Sequence, residues 1–438
     1  LADSKLPASL RAFRHRNYQL FFAGQLVSLS GTWMQSVAQS WLVYRLTGSA
    51  LLLGLVGFAA LIPVFILAPI GGALADRFSR HRIIIVTQIV AMVLAFVLAG
   101  LTFAHQIQVW HVFVLAACLG ISYAFYVPAA SAFVADMVGR EDLMNAIALN
   151  SSLVNGARIV GPAIAGILVA TIGEGWCFLI NGASYIAVIV SLLMMSVSPH
   201  RKVELPGSPL AHIVEGFRFV WHTGPVRALL LLLGAISLFG TPYAVLMPIF
   251  AAEILRGGAG GLGLLMGASG FGALLGALSL AARNKVYGLG RWVAISTAGF
   301  GGSLILFSLS SKFWLSAALL VPVGFSMMIE MAASNTLIQA MVPDHLRGRV
   351  MAVYSMMFMG MAPIGALVAG SLAHRLGAPR TVLVGGIVCV FGAAIFALRL
   401  PKLRDEGRRL IVALQVTGGS PAAEATTAEA VSLASDDA

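Results

Sequence analysis

Apolar runs of about 20 residues recur along the chain with short polar breaks between them, and a helix of about 20 residues crosses a hydrocarbon core of roughly 30 Å. Reading those runs predicts spans over 18–44, 50–74, 83–104, 109–134, 144–170 and 176–197, then over 226–250, 261–282, 291–310, 313–340, 350–372 and 380–399. Twelve crossings leave both termini on one side of the membrane. The expected division is an N-terminal segment 1–17, a six-helix half 18–197, a middle loop 198–225, a second six-helix half 226–399 and a tail 400–438. In the middle loop, Ile213, Phe217 and Val220 or Trp221 would share one face of a helix lying on the membrane. The end of the tail is rich in Ala, Thr and acids, a composition expected to be disordered.

Composition excludes a soluble fold. Of 438 residues, 59% are hydrophobic and only 10% charged, against about 25% charged in soluble domains. The net charge of +11 does not form a nucleic-acid-binding stripe, because the basic residues sit singly or in small groups between the apolar runs. They read instead as a topology signal. Of 28 Lys and Arg residues, Arg45, Arg256, Lys312, Arg375 and Arg380 fall on one side, Arg158 falls within a span, and the other 22 share the side of the termini. Positive charge accumulates on the cytoplasmic side, so both termini are expected there, in a bacterial-type inner (plasma) membrane. No cleavable signal sequence is evident around Arg11, Arg14, His15 and Arg16. Cys118, Cys177 and Cys389 are isolated within apolar runs, which supports neither a disulfide framework nor a metal site.

The two halves repeat. A shift of 204 residues superposes Gly54 on Gly258, Gly57 on Gly261, Gly72 on Gly276, Gly120 on Gly324, Gly156 on Gly360, Gly161 on Gly365, Gly166 on Gly370, Gly173 on Gly377 and Gly182 on Gly386. Composition alone would align roughly two such pairs, so the excess indicates duplication. Parallel halves around a central site suit alternating access.

Twelve spans, a long middle loop and the segment GGALADRFSRHR after the second span resemble the major facilitator superfamily. Gly72, Asp76, Arg77, Arg80 and Arg82 match its loop motif, with Ser79 and His81 as departures. The resemblance implies an all-α polytopic membrane protein of twelve transmembrane helices in two six-helix halves. It also implies a gate at the cytoplasmic end, with Gly72 allowing close helix approach, Asp76 facing the start of span eleven and Arg80 paired with Asp136 at the end of span four. In span five, NGARIVGPAIAGIL resembles the glycine–proline signature of drug:proton antiporters through Gly156, Gly161, Pro162 and Gly166, with Ala165 in place of a glycine. That resemblance implies export, and close packing of small residues between the halves. The segment from Arg11 to Met34, together with NGARIVGP and DHLRGRVMAVY, is similar to the enterobactin-exporter and macrolide-efflux branch.

Ionisable groups at a helix centre cost several kcal/mol and are functional candidates. Arg158 in span five and Glu330 in span ten stand far from either interface. The resemblance places span ten on the cavity, where Glu330 would be exposed and would alternate between a proton and a cationic substrate; a hydrogen-bonded packing role is the other reading. Arg158, with Asn155, either bonds backbone carbonyls between the halves or binds an anionic substrate. Gln35 and Gln39 in span one, and Tyr126 at the repeat position of Glu330, are candidates either for the polar lining of the site or for interhelical hydrogen bonds. Residues 109–134 hold neither an acid nor an arginine, unlike the fourth span common in drug antiporters.

No nucleophile–base pair, metal cluster or cofactor motif stands in a plausible setting, so neither an enzyme nor a bound cofactor is expected. No phosphate-binding loop is present, which leaves an ion gradient to drive the carrier. The expected partners are a small amphiphilic substrate, protons and the lipid bilayer, and a monomer satisfies the pattern. Import by the same fold, or a non-transporting sensor or assembly role, are the competing readings.

Overall fold

The computed structural model describes residues 8–196, 209–281 and 288–416. Every described element is helical. Span one is Arg16–Thr47, span two Ala50–Arg77 and span three Arg80–Phe103. Spans four and five are Val109–Gly139 and Glu141–Thr171, and span six is Glu174–Leu193. A linker helix, Pro209–His222, leads to span seven, Gly224–Ile254. Spans eight, nine and ten are Gly258–Ala281, Leu289–Leu309 and Phe313–Met341. Span eleven is Asp344–Leu376 and span twelve runs through Ala378–Val416.

Eleven of these helices are long and apolar enough to cross a membrane. Span one is not among them, although its 32 residues more than suffice in length. It carries Gln19, Gln25, Ser28, Ser30, Thr32, Gln35, Gln39 and Ser40, and its buried face packs on spans five and six. Neighbouring helices, not lipid, receive that polar face. On the outside of the bundle Ile66, Ile167, Leu231, Leu306 and Phe391 are more than half exposed. Such a belt is costly in water and neutral in hydrocarbon.

The helices extend beyond the apolar runs. Between the expected ends at 134 and 144 the chain stays helical, apart from Gly139, whose φ of 69° and ψ of −178° break the ladder. Hydropathy marks where hydrocarbon ends, whereas backbone hydrogen bonds continue into the headgroup region. Span twelve likewise continues well past 399. The linker helix forms, but it docks on the start of span eleven: Gly216 lies against the Arg349 carbonyl and Glu215 pairs with Arg349 at 2.5 Å. Of the two alternatives at the end of the expected face, Val220 is buried and Trp221 is 69% exposed. The Ile213 side chain and the tail after 416 lie outside what the structure describes.

Hydrocarbon offers helices no hydrophobic reason to associate, so close backbone packing must hold them together. In the first half Gly71 lies against the Ala124 carbonyl and Gly120 against the Ala60 carbonyl, joining spans two and four. In the second half Gly272 and Gly324 join spans eight and ten through the Val321 and Ser269 carbonyls. The halves meet along two seams. Gly54 of span two faces Ala366 and Gly370 of span eleven, and Gly166 of span five faces Gly260 and Gly263 of span eight.

Span seven widens twice, at Ile236–Gly240 and Phe250–Ile254, and span eleven once, at Met356–Gly360, by turns with i→i+5 hydrogen bonds. Two of them meet: the Ser237 hydroxyl donates to the Phe358 carbonyl.

A side chain added at Gly166 would come within 3.0 Å of Gly263 Cα, whereas one at Gly156 meets open space. Gly166→Leu should therefore destabilise by about 1–3 kcal/mol. Gly156→Ala should be neutral, or stabilise by up to about 1 kcal/mol. Thermal unfolding of the purified protein checks both, and equal losses would contradict this packing.

Candidate functional site between the two halves

The end of the bundle nearer the chain termini carries a charged knot. Span two stops at Arg77, and after Phe78 and Ser79 the chain re-enters helix at Arg80. Arg80 turns back over that junction. Its Nη1 donates to both carboxylate oxygens of Asp136, at 2.8 and 2.9 Å, and its Nε to the Ala75 carbonyl at 3.2 Å. Asp76 stands 3.6 Å from the same guanidinium. One planar cation thus ties spans two, three and four and satisfies a carbonyl at a helix end. Arg77 is exposed. At the start of span eleven, Asp344 pairs with Arg347 at 2.6 Å.

Gly72 has no atom within 4 Å of where its side chain would project, and the same holds for Gly156 in span five and Gly348 in span eleven. The expected close approach at Gly72 and Gly156 is therefore not the arrangement found. The reason is conformational. Among the described residues, glycine contacts between the halves lie from the middle of the bundle to the end away from the termini: Phe65 with Gly360, Ile159 with Gly270, Gly166 with Gly263, and Gly54 with Gly370. At that far end the Tyr44 hydroxyl of span one donates to Glu253 of span seven, joining the halves. Arg45 also holds Glu174 there, at 2.7 and 3.3 Å. The bundle is closed at its far end.

Midway along the seam, span five is shaped by its glycines and proline. Gly161 lies against Ser30, Trp33 and Met34 of span one. Pro162 has no N–H to offer the Arg158 carbonyl one turn earlier, and Gly270 of span eight packs onto that freed oxygen. The close approach at Gly161 lets the Arg158 guanidinium lie over the Trp33 ring, 5.4 Å from its centre. Tyr243 of span seven is within electrostatic reach of Arg158 and exchanges a hydrogen bond of 2.8 Å with Ser269. Arg158 is thus a charged group midway along the seam between the halves.

The other sequence candidates separate from it. Asn155 is buried and donates to Ser151 of its own helix at 2.9 Å. Gln35 is buried and accepts from Asn181 of span six at 2.7 Å, an interhelical bond inside the first half. Gln39 is half-buried. Tyr126 is half-buried beside Tyr123, Gln25 and Gln88. Glu330 is 1% exposed, accepts from Ser334 at 3.1 Å, and lies near Tyr354 and Cys389. It faces into the second half, which corrects the expectation of a carboxyl exposed to the cavity: span position does not fix which side of a helix faces inward. The repeat is nonetheless visible here, since Tyr126 sits near Tyr185 as Glu330 sits near Cys389, both pairs being related by 204 residues. Sequence reading missed Trp33 as the partner of Arg158, and missed the Tyr44–Glu253 contact. The acid at the end of span seven was its one signal.

Two parallel six-helix halves, closed at one end around a polar seam, define a secondary transporter. The chain belongs to the family of transmembrane secretion effectors within the major facilitator superfamily, whose pattern matches residues 7–412. It is 26% identical over 393 residues to the staphyloferrin A transporter of Staphylococcus aureus, covering 88% of this chain and 97% of that protein. It is 28% identical over 397 residues to the multidrug efflux pump Tap of Mycolicibacterium fortuitum, covering 88% and 96%. With the enterobactin exporter EntS of Citrobacter koseri it shares 26% identity over 407 residues, covering 93% and 96%. A POT family transporter solved with 5-aminolevulinic acid superposes with a TM-score of 0.72 over 89% of this chain and 97% of that one, at 13% identity, a likeness of fold alone. The protein is a multi-span transporter of the plasma membrane, not an enzyme.

Arg80→Ala leaves Asp136 and the Ala75 carbonyl unpaired. At a half-exposed site this should cost about 1 kcal/mol. Arg80→Lys should recover only part of it, because an ammonium has no second nitrogen to reach the Ala75 carbonyl while the first holds Asp136. Thermal unfolding midpoints of the two variants test the ranking.

Proposed function

We propose that the protein exports amphiphilic small molecules by alternating access driven by proton influx, with its termini in the cytoplasm. The observation that carries this reading is the one-sided closure of the seam. The halves pack through Gly54 with Gly370 and Gly166 with Gly263 toward the far end, while Gly72, Gly156 and Gly348 face open space toward the other. The excess of Arg and Lys on the terminal side makes that side cytoplasmic. Substrate then enters from the cytoplasm, and the opposite closure, with Gly72 and Gly156 packed, releases it outside. Two of the relatives are named for efflux or export, which supports the direction. Glu330 is the carboxyl we assign to the proton, as the acid buried midway along a span.

Efflux from energised cells of a pump-deficient host should fall to background when the proton gradient is collapsed, and in Glu330→Gln. Efflux that survives collapse would remove the proton from the cycle. Accumulation in place of efflux would reverse the direction.

The Tyr44–Glu253 contact is the hydrogen-bonded latch of the far end. Its loss in Tyr44→Phe should shift the equilibrium toward the form open at that end by about 1 kcal/mol, roughly fivefold. Spin labels at Leu46→Cys and Arg256→Cys, in a background without the native cysteines, would then show a larger population at long separation.

A further inference from the structure

Arg158 combines three properties that are seldom found together inside a membrane. Its guanidinium has no carboxylate within 4 Å and no hydrogen-bond acceptor among the described residues, and none of its nitrogens is sealed from accessible space. The backbone around it is fixed, since its own carbonyl packs on Gly270 and Gly161 presses the helix onto span one. Its guanidinium carbon lies over the Trp33 ring, 5.4 Å from the ring centre.

A guanidinium held over an indole ring by cation–π attraction still has N–H groups to donate, and paired N–H groups match the two oxygens of a carboxylate. The other ionisable group midway along a span, Glu330, is enclosed in the second half with Ser334. Midway along the seam there is therefore a positive charge whose N–H donors meet no acceptor among the described residues and are open to an anion.

We propose that Arg158 and Trp33 form the recognition site for a carboxylate-bearing aromatic ligand, so that the carrier favours anionic over cationic substrates. The guanidinium N–H groups bind the carboxylate, which brings the ligand's flat body beside the Trp33 ring. This rests on the reading of the protein as a carrier and narrows its substrate class.

The test is equilibrium binding to the purified protein in nanodiscs with no gradient imposed, using benzoate against benzylammonium, probes matched in size and opposite in charge. Benzoate should quench tryptophan fluorescence saturably, with the quench lost in Trp33→Phe. Arg158→Gln should weaken benzoate by at least about tenfold, and Arg158→Lys should fall between, as expected for loss of charge-assisted hydrogen bonds. Benzylammonium binding as tightly as benzoate would overturn the proposal. So would unchanged benzoate affinity in Arg158→Lys, the variant that keeps the charge and is the safer to fold. Failure here with gradient-driven efflux intact would sink the anion site alone. Saturable benzoate binding without efflux would sink the transport reading instead.

Discussion

The structure depends on backbone-to-backbone contact in a solvent that gives leucine no reason to leave it. Helices gain association from close packing there, and glycine is the residue that allows it. The seams of the bundle consequently run through Gly54 and Gly370 on one side and Gly166 and Gly263 on the other. Gly166 and Gly370 are repeat mates, so one inherited feature serves both seams. What lies between the seams follows from that spacing. Arg158 reaches Trp33 because Gly161 brings span five against span one, and the carbonyl freed by Pro162 is tolerated because Gly270 covers it.

The crossings were legible because the thickness of hydrocarbon imposes a length on them. Their ends were not. Residues 135–143 look like a loop by polarity, yet all but the junction at Gly139 are helical, since headgroup water does not forbid helix. Span one was found as an apolar run but is polar along the side that meets spans five and six. At the site, Arg158 and Glu330 announced themselves as charges in apolar sequence. Which way each pointed did not, because rotation of a helix about its axis is settled by neighbours distant in sequence. Trp33 fixes the side of Arg158, while Ser334, Tyr354 and Cys389 surround Glu330. Gly72 and Gly156 read as packing residues, yet both face open space here, because a sequence does not say which helix faces meet.

Keeping Arg158 and Glu330 in separate surroundings has an electrostatic meaning. Side by side in a low dielectric they would form a pair whose separation costs several kcal/mol, and neither would be free for a ligand or a proton. Placed at the seam and inside the second half, each answers to its own partner. Contiguous packing nonetheless joins them, of span ten on span eight and of span eight on span five at Gly270.

Gly139 joins two helices that would otherwise be one. Spans four and five each have 31 residues and meet at this single residue, in the left-handed region of φ that side chains avoid. At 1.5 Å per residue, each is a rod of about 46 Å. A swing of 10° at that joint would carry the far tip of span five by roughly 8 Å, more than a helical turn. Leverage of this kind would turn a slight torsional adjustment at Gly139 into a displacement of several ångströms at the opposite seam.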